Sequence, residues 1–232
     1  MKKATVNIIR DLVGLLTFVE TIKSCEVLPN DQIKLTVCNT HGLVDNGLIV
    51  LGIVEHLVID VIDSKEIIIA GTGCPIEEEL TILAPTYIHG TVKAASSELT
   101  TINSSRTRFQ VVYLYEVIQE TRNRNPLDTL GRTVDIIMFF LSSAKMEGEI
   151  TTDKYVEYIN PMDNLTEDFI DLLEASNIVG SIEEGTYTII PHSKAGFYDR
   201  LGHVKNLFNE DYSGIELRIS LPLLKEGCID CN

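Results

Sequence analysis

The chain has 232 residues, 44% of them hydrophobic, enough for one large domain or two modest ones with a real core. Its 34 acidic and 19 basic residues give a formal net charge of −15, which disfavours nucleic-acid binding through an electrostatic footprint. The same charge suits a wall that DNA slides past without sticking.

The longest apolar run, VDIIMFFL (134–141), is far short of the roughly 20 residues of a membrane helix. Lys2 and Lys3 precede VNIIRDLVGLLTFVE, where Arg10, Asp11 and Glu20 interrupt the pattern of an export signal. The expectation is a soluble chain that meets no membrane. Cysteines stand at 25, 38, 74, 228 and 231, an odd count that points to free thiols in a reducing compartment. Cys228 and Cys231 form a CxxC pair without the second ligand pair of a zinc site or the strand-to-helix setting of a redox motif. No metal and no cofactor are expected.

Residues 5–20 read as an amphipathic helix, with Ile8, Ile9, Leu12, Val13, Leu15, Leu16 and Val19 at helical spacing. The texture then changes. IKLTVC (33–38), LIVLGIV (48–54), HLVIDVI (56–62) and EIIIAG (66–71) are short β-branched runs between turn residues. Among them lies THGLVDNGLIVLGI (40–53). Gly42 to Gly47 has the outer spacing of a phosphate-binding loop, but Leu48 and Ile49 stand where Lys and Ser/Thr are required. Asp45-Asn46-Gly47 reads as a hairpin turn, and His41 as a histidine bonding the local backbone. Asp63 to Lys65 tip a second hairpin, and the acidic run at 77–79 reads as solvated. Residues 25–86 are expected to form a small barrel or sandwich-like module.

Helical spacing returns at 91–102. RFQVVYLYEVIQE (108–120) and RTVDIIMFFLSS (132–143) read as strands of a long hairpin, joined by a polar loop at 121–131. Residues 151–176 give the clearest helix, in which Pro161 either makes a kink or opens a second segment, and Gly180 ends it. TYTIIP (186–191) and GIELRISLPL (214–223) finish as strands. The last alternates Ile215, Leu217, Ile219 and Leu221 with Glu216, Arg218 and Ser220, which places the polar set toward water or a neighbouring subunit. The expected class is therefore α+β: a four-stranded, mostly antiparallel sheet with helices on one face, built from 1–24 plus 87–232. The all-β module of 25–86 is inserted in it.

Chemistry is sparse. No HExxH, GxSxG or dinucleotide fingerprint is present. His192, Asp199, Arg200 and His203 share one polar stretch and could line the site of a metal-dependent hydrolase. A contact loop explains the stretch better, because Phe197, Tyr198 and Phe208 stand among Lys194, Arg200 and Lys205. Arg106, Arg108, Arg122, Arg124 and Arg132 form a basic cluster in an acidic chain, one pole of a head-to-tail subunit interface.

Three pieces carry a resemblance: the YLYE strand (Tyr113 to Glu116), GRTVDIIMFFL (Gly131 to Leu141) with the helix from Ile159 to Leu173, and Asp211 to Leu221. Over about half the chain this resembles the neck, tail-completion or tail-terminator proteins of tailed bacteriophages. The THGL-x-x-x-G element is similar to a β-module of phage virion proteins, here placed unusually near the N-terminus. The resemblance implies a non-enzymatic virion protein, assembled in the host bacterial cytoplasm into a six- or twelve-fold ring. Its partners would be copies of itself, neighbouring portal, neck or tail proteins, and genomic DNA passing through the lumen. An adaptor of the baseplate or tail, binding partner proteins through the β-module, is the alternative.

Overall fold

The computed structural model describes residues 4–41, 43, 47–63, 65–76, 78–103, 110–122, 130–143, 158–182, 187–192, 196–198, 204–206 and 212–224. Asp45 and Asn46 of the turn, most of the 121–131 loop, residues 151–157 and the Cys228/Cys231 pair lie outside them.

Helix α1 (Thr5–Val13) turns Ile8, Ile9, Leu12 and Val13 inward. It stops at Gly14, whose N–H donates to the Arg10 carbonyl at 3.0 Å, rather than running on to Glu20. The β-branched and aromatic residues that follow favour extended backbone, and Phe18–Thr21 becomes strand β1.

Six more short strands follow: β2 (Ser24–Leu28), β3 (Gln32–Thr36), β4 (Leu48–Leu51), β5 (Val54–Val61), β6 (Glu66–Ala70) and β7 (Glu79–Ile82). They pair antiparallel in the order β1-β7-β4-β5-β6-β3-β2. Both ends of that order are one stretch of chain. Ile22 N–H donates to the Glu78 carbonyl and continues the β7 ladder, while Lys23 N–H donates to the Thr36 carbonyl and opens the β3 ladder. The sheet therefore closes on segment 18–28 as a barrel. Strand β5 makes a second corner, pairing β4 through Val54–Leu57 and β6 from Val58 onward. Period-two alternation points Ile33, Leu35, Ile49, Val58, Ile67, Ile69, Leu80 and Ile82 into the lumen. Each such side chain contributes about 1.5–3 kcal/mol on burial.

A disulfide joins Cys25 to Cys74 across a sequence separation of 49 residues, with the Cα atoms 5.9 Å apart. This corrects the free-thiol expectation for these two cysteines. Cys38 is free and exposed. A loop of this length contributes about 4 kcal/mol by restricting the unfolded chain.

The second sheet comprises β8 (Thr86–Gly90), β9 (Val111–Tyr115), β10 (Gln119–Arg122), β11 (Leu130–Ser143), β12 (Tyr187–His192) and β15 (Tyr212–Leu224). A separate two-stranded hairpin, β13 (Gly196–Tyr198) with β14 (Val204–Asn206), lies between the last two. Strands β9 and β10 lie successively along one side of β11, and β15 lies along the other with β12 outside it. Strand β8 runs parallel to β9, reached through the crossover helix α2 (Val92–Asn103). The Thr91 hydroxyl accepts from Ala94 N–H at 3.1 Å and caps that helix.

These strands overturn the expected class. With 51% of residues in strands and 22% in helices, in sheets of seven and six strands, the fold is mostly β and not α+β with a four-stranded sheet. Strand β8 widens the expected sheet, and β1, β2 and β7 complete the barrel. All four are only four or five residues long, so their sequences carry little signal. The helices also do not share one face. Helix α1 and helix α3 (Asn160–Ala175) cover one side, packing on Val112, Val134, Met138, Phe140, Leu217 and Ile219. Helix α2 packs Ala95 and Leu99 on the other, against Val111, Tyr113, Phe139 and Leu141.

Pro161 sits in the first turn of α3, where its missing N–H costs nothing. The helix ends at Ala175, before Gly180. Gly180 instead donates its N–H to the Pro222 carbonyl at 2.7 Å, fastening the exit to the sheet.

Alkylation without reductant should modify Cys38 and spare Cys25 and Cys74, with both becoming reactive after reduction and unfolding. Reactive Cys25 and Cys74 in the native oxidised protein would contradict the bridge. A Cβ at Gly214 would collide with the carbonyl of Phe140 on β11. Gly214→Ala should therefore cost about 3 kcal/mol in urea unfolding, and a loss below about 0.5 kcal/mol would contradict this packing.

Candidate functional site

Arg106, Arg108 and Arg124 of the basic cluster lie outside the described residues. Arg122 and Arg132 are opposite each other on β10 and β11. Glu120 engages both, and the two differ in exposure. Glu120 Oε1 accepts from the Thr5 hydroxyl at 2.7 Å and from Arg132 at 3.1 Å, while Oε2 accepts from Arg122 at 3.4 Å. The Thr5 hydrogen bond and the two guanidinium charges outweigh desolvation and hold the Glu120 carboxyl below its ordinary range. The Thr5–Glu120 hydrogen bond ties α1 to the sheet, with the 15%-exposed Arg132 side chain beside it, whereas that of Arg122 is 76% exposed. Of this pair, Arg122 is the one whose charge reaches the surface.

In the contact loop, Phe197 and Tyr198 lie in β13, paired with Lys205 and Val204. Asp199, Arg200, His203 and Phe208 lie outside the described residues. His192, at the end of β12, donates from Nε2 to Glu216 Oε2 at 2.7 Å, and Arg218 Nε donates to Oε1 at 2.6 Å. Glu216 is therefore not one of an outward polar set. It is 6% exposed. Burial raises its carboxyl, but the hydrogen bonds and charges of His192 and Arg218 outweigh that and lower it. Beside this cluster Gln119, Asp135, Ile137, Thr188, Arg218 and Ser220 line an open depression of about 350 Å³. Val117, Ile136 and Ile219 complete the lining, which is more apolar than polar.

The barrel meets the second sheet at His41, whose ring lies on Phe18 with centroids 3.9 Å apart and planes within 1°. Its Nε2 is 2.9 Å from Glu20 Oε1 on β1, and its Nδ1 is 3.1 Å from Asp168 Oδ2 on α3. Each ring nitrogen thus has a carboxylate oxygen within hydrogen-bonding reach, an arrangement that the doubly protonated ring satisfies in full and the neutral ring only in part. Burial opposes the charged form, and the hydrogen bonds and charges of Asp168 and Glu20 outweigh it, so the His41 pKa is raised. The local-backbone reading of the ring is thus corrected. Only the His41 N–H stays local, donating to Asn39 Oδ1 at 3.0 Å. Glu20 and Asp168 stand 21 and 127 residues from His41, and nothing in their spacing marks them as its partners.

No known protein family, curated protein or solved structure matches this chain. Among the described residues, no group of three or more His, Cys, Asp or Glu side chains is placed to hold a metal ion. No described helix is long and apolar enough to cross a membrane.

Glu216→Ala leaves His192 and Arg218 without their shared acceptor and should cost about 2 kcal/mol at pH 7 in urea unfolding. The carboxyl is lowered on folding, so its contribution is present above its ordinary value of 4.5 and is lost as pH falls through the lowered one. The difference between variant and wild type should shrink at pH 3. An undiminished difference there would rule out the ion pair as its source.

Proposed function

We propose that this chain is a non-enzymatic structural subunit of a tailed bacteriophage, forming a ring at the neck or upper tail. One observation carries the reading. Among the described residues, the six-stranded sheet ends in unlike edges, β12 on one side and β8 with β10 on the other. Unlike surfaces associate head-to-tail, and a head-to-tail contact that closes makes a ring. Pro191 in β12 and the exposed polar residues of β10 discourage indiscriminate strand addition, so side chains make the contact. Exposed Arg122 stands at the β10 edge, where the acidic surface of a neighbour would complement it.

The resemblance of the YLYE, GRTVDIIMFFL and terminal-strand segments to neck and tail-terminator proteins supports the same reading. So does a net charge of −15, which suits a lumen that lets DNA pass. The partners are further copies of the chain and adjoining portal, neck or tail proteins, and the place of action is the virion. A tail adaptor is the second reading. It is favoured by Ile53 and Ile76, which are 99% and 96% exposed at loops of the barrel and suit insertion into a partner.

Native mass spectrometry with negative-stain imaging of the purified chain tests this. The ring reading expects a closed six- or twelve-fold oligomer with a central hole, broken by Arg122→Glu. A strict monomer at all concentrations, alone and with a portal ring added as template, overturns it.

A further inference from the structure

Two short connections join the barrel to the rest of the molecule, Gly14–Thr17 and Leu83–Pro85. Contacts between barrel strands and the elements of the second sheet are otherwise sparse. Phe18 is the hydrophobic link, packing on both cores. His41 is the polar one. A cavity of about 110 Å³ adjoins the second connection, lined by Leu43, Gly47, Leu83, Pro85, Thr86 and Gln110. Among the described residues, the junction thus comprises two narrow connections, the packing of Phe18 on both cores, the His41–Asp168 bridge and some free volume.

The bridge has a built-in asymmetry. Glu20 belongs to the barrel and is held there, because its Oε2 accepts from the N–H groups of Cys38 and Asn39 at 3.1 and 3.3 Å. His41 is held there too, at a φ of 44°, a left-handed conformation that histidine tolerates better than most residues. Asp168 alone comes from α3. Among the described residues, Glu20 and Asp168 are the charged groups facing the ring.

We propose that His41 is a proton-operated latch that fastens the barrel to α3 and, on losing one proton, frees the barrel to pivot on its two connections. A neutral imidazole has one N–H. It can satisfy one carboxylate, and its bare nitrogen then faces the lone pairs of the other. The Glu20 contact is preorganised within the barrel, so the bond to Asp168 is the one that yields. The ring's folded pKa is raised above its ordinary 6.5. Docking is therefore fully stabilised below 6.5 and is lost as pH rises through the folded value.

The test is NMR on the full chain from pH 5.5 to 9.5. The His41 ring resonance gives its midpoint, and residual dipolar couplings give the orientation of the barrel against the second sheet. The wild type should titrate above 6.5, with one alignment tensor below the midpoint and two distinct tensors above it. Asp168→Asn should lower the midpoint by about one pH unit and bring on the second tensor at correspondingly lower pH. His41→Gln should remove the pH dependence of the orientation. A single tensor across the whole range in wild type overturns the latch, as does an unchanged midpoint in Asp168→Asn. Should the variants not fold, the wild-type series decides by itself.

Discussion

From Arg132 opposite Leu223 to Ser143 opposite Tyr212, β11 and β15 hold one antiparallel register, and the rest of the second sheet is arranged around it. Around Met138 to Leu141 and Tyr212 to Leu217 both faces of this pair are covered, so the register is specified twice there. Met138, Phe140, Ile215 and Leu217 must meet α1 and α3, while Phe139, Leu141 and Tyr212 must meet the face that carries α2. A slip of one residue would exchange the two sets. Phe140 and Phe169 interlock strand and helix with ring centroids 5.5 Å apart, and Gly214 lets the two backbones approach at that point.

The barrel obeys a different constraint. Closure on segment 18–28 removes most of the edge that an open sheet would expose. Its core is its own, and the Cys25–Cys74 bridge closes a loop wholly within it. A unit so self-contained needs little from its neighbour, and among the described residues Phe18 and the His41–Asp168 bridge are what link it to the second core and to α3.

Electrostatics follow one rule in this acidic chain. The basic side chains and histidine rings that are paired internally stand where carboxylates would otherwise crowd or be buried alone: Arg132 and Arg122 at Glu120, Arg218 with the His192 ring at Glu216, Lys34 between Glu26 and Glu66, and the His41 ring between Glu20 and Asp168. The surplus of negative charge is left to the surface.

Period and run length were legible in the sequence. The long hairpin of β9/β10 with β11, the last strand, α2, the amphipathic start of α1 and the runs that became β3 to β6 all follow from side chains acting on their own neighbours. The short strands β1, β2, β7 and β8 were not legible, because their pairing depends on partners far along the chain and not on their own residues. The same holds for the site. Arg132 and Glu216 looked like surface charges because alternation says which face a residue takes, not what covers that face. His41 looked local because its carboxylates come from a strand and a helix that meet only in the fold. Composition and periodicity determined the elements, the charge and the sparse chemistry, all properties of short stretches. Barrel closure, the two-sided helix cover and the His41 bridge were decided by the tertiary structure, because each requires distant backbone segments to be brought together.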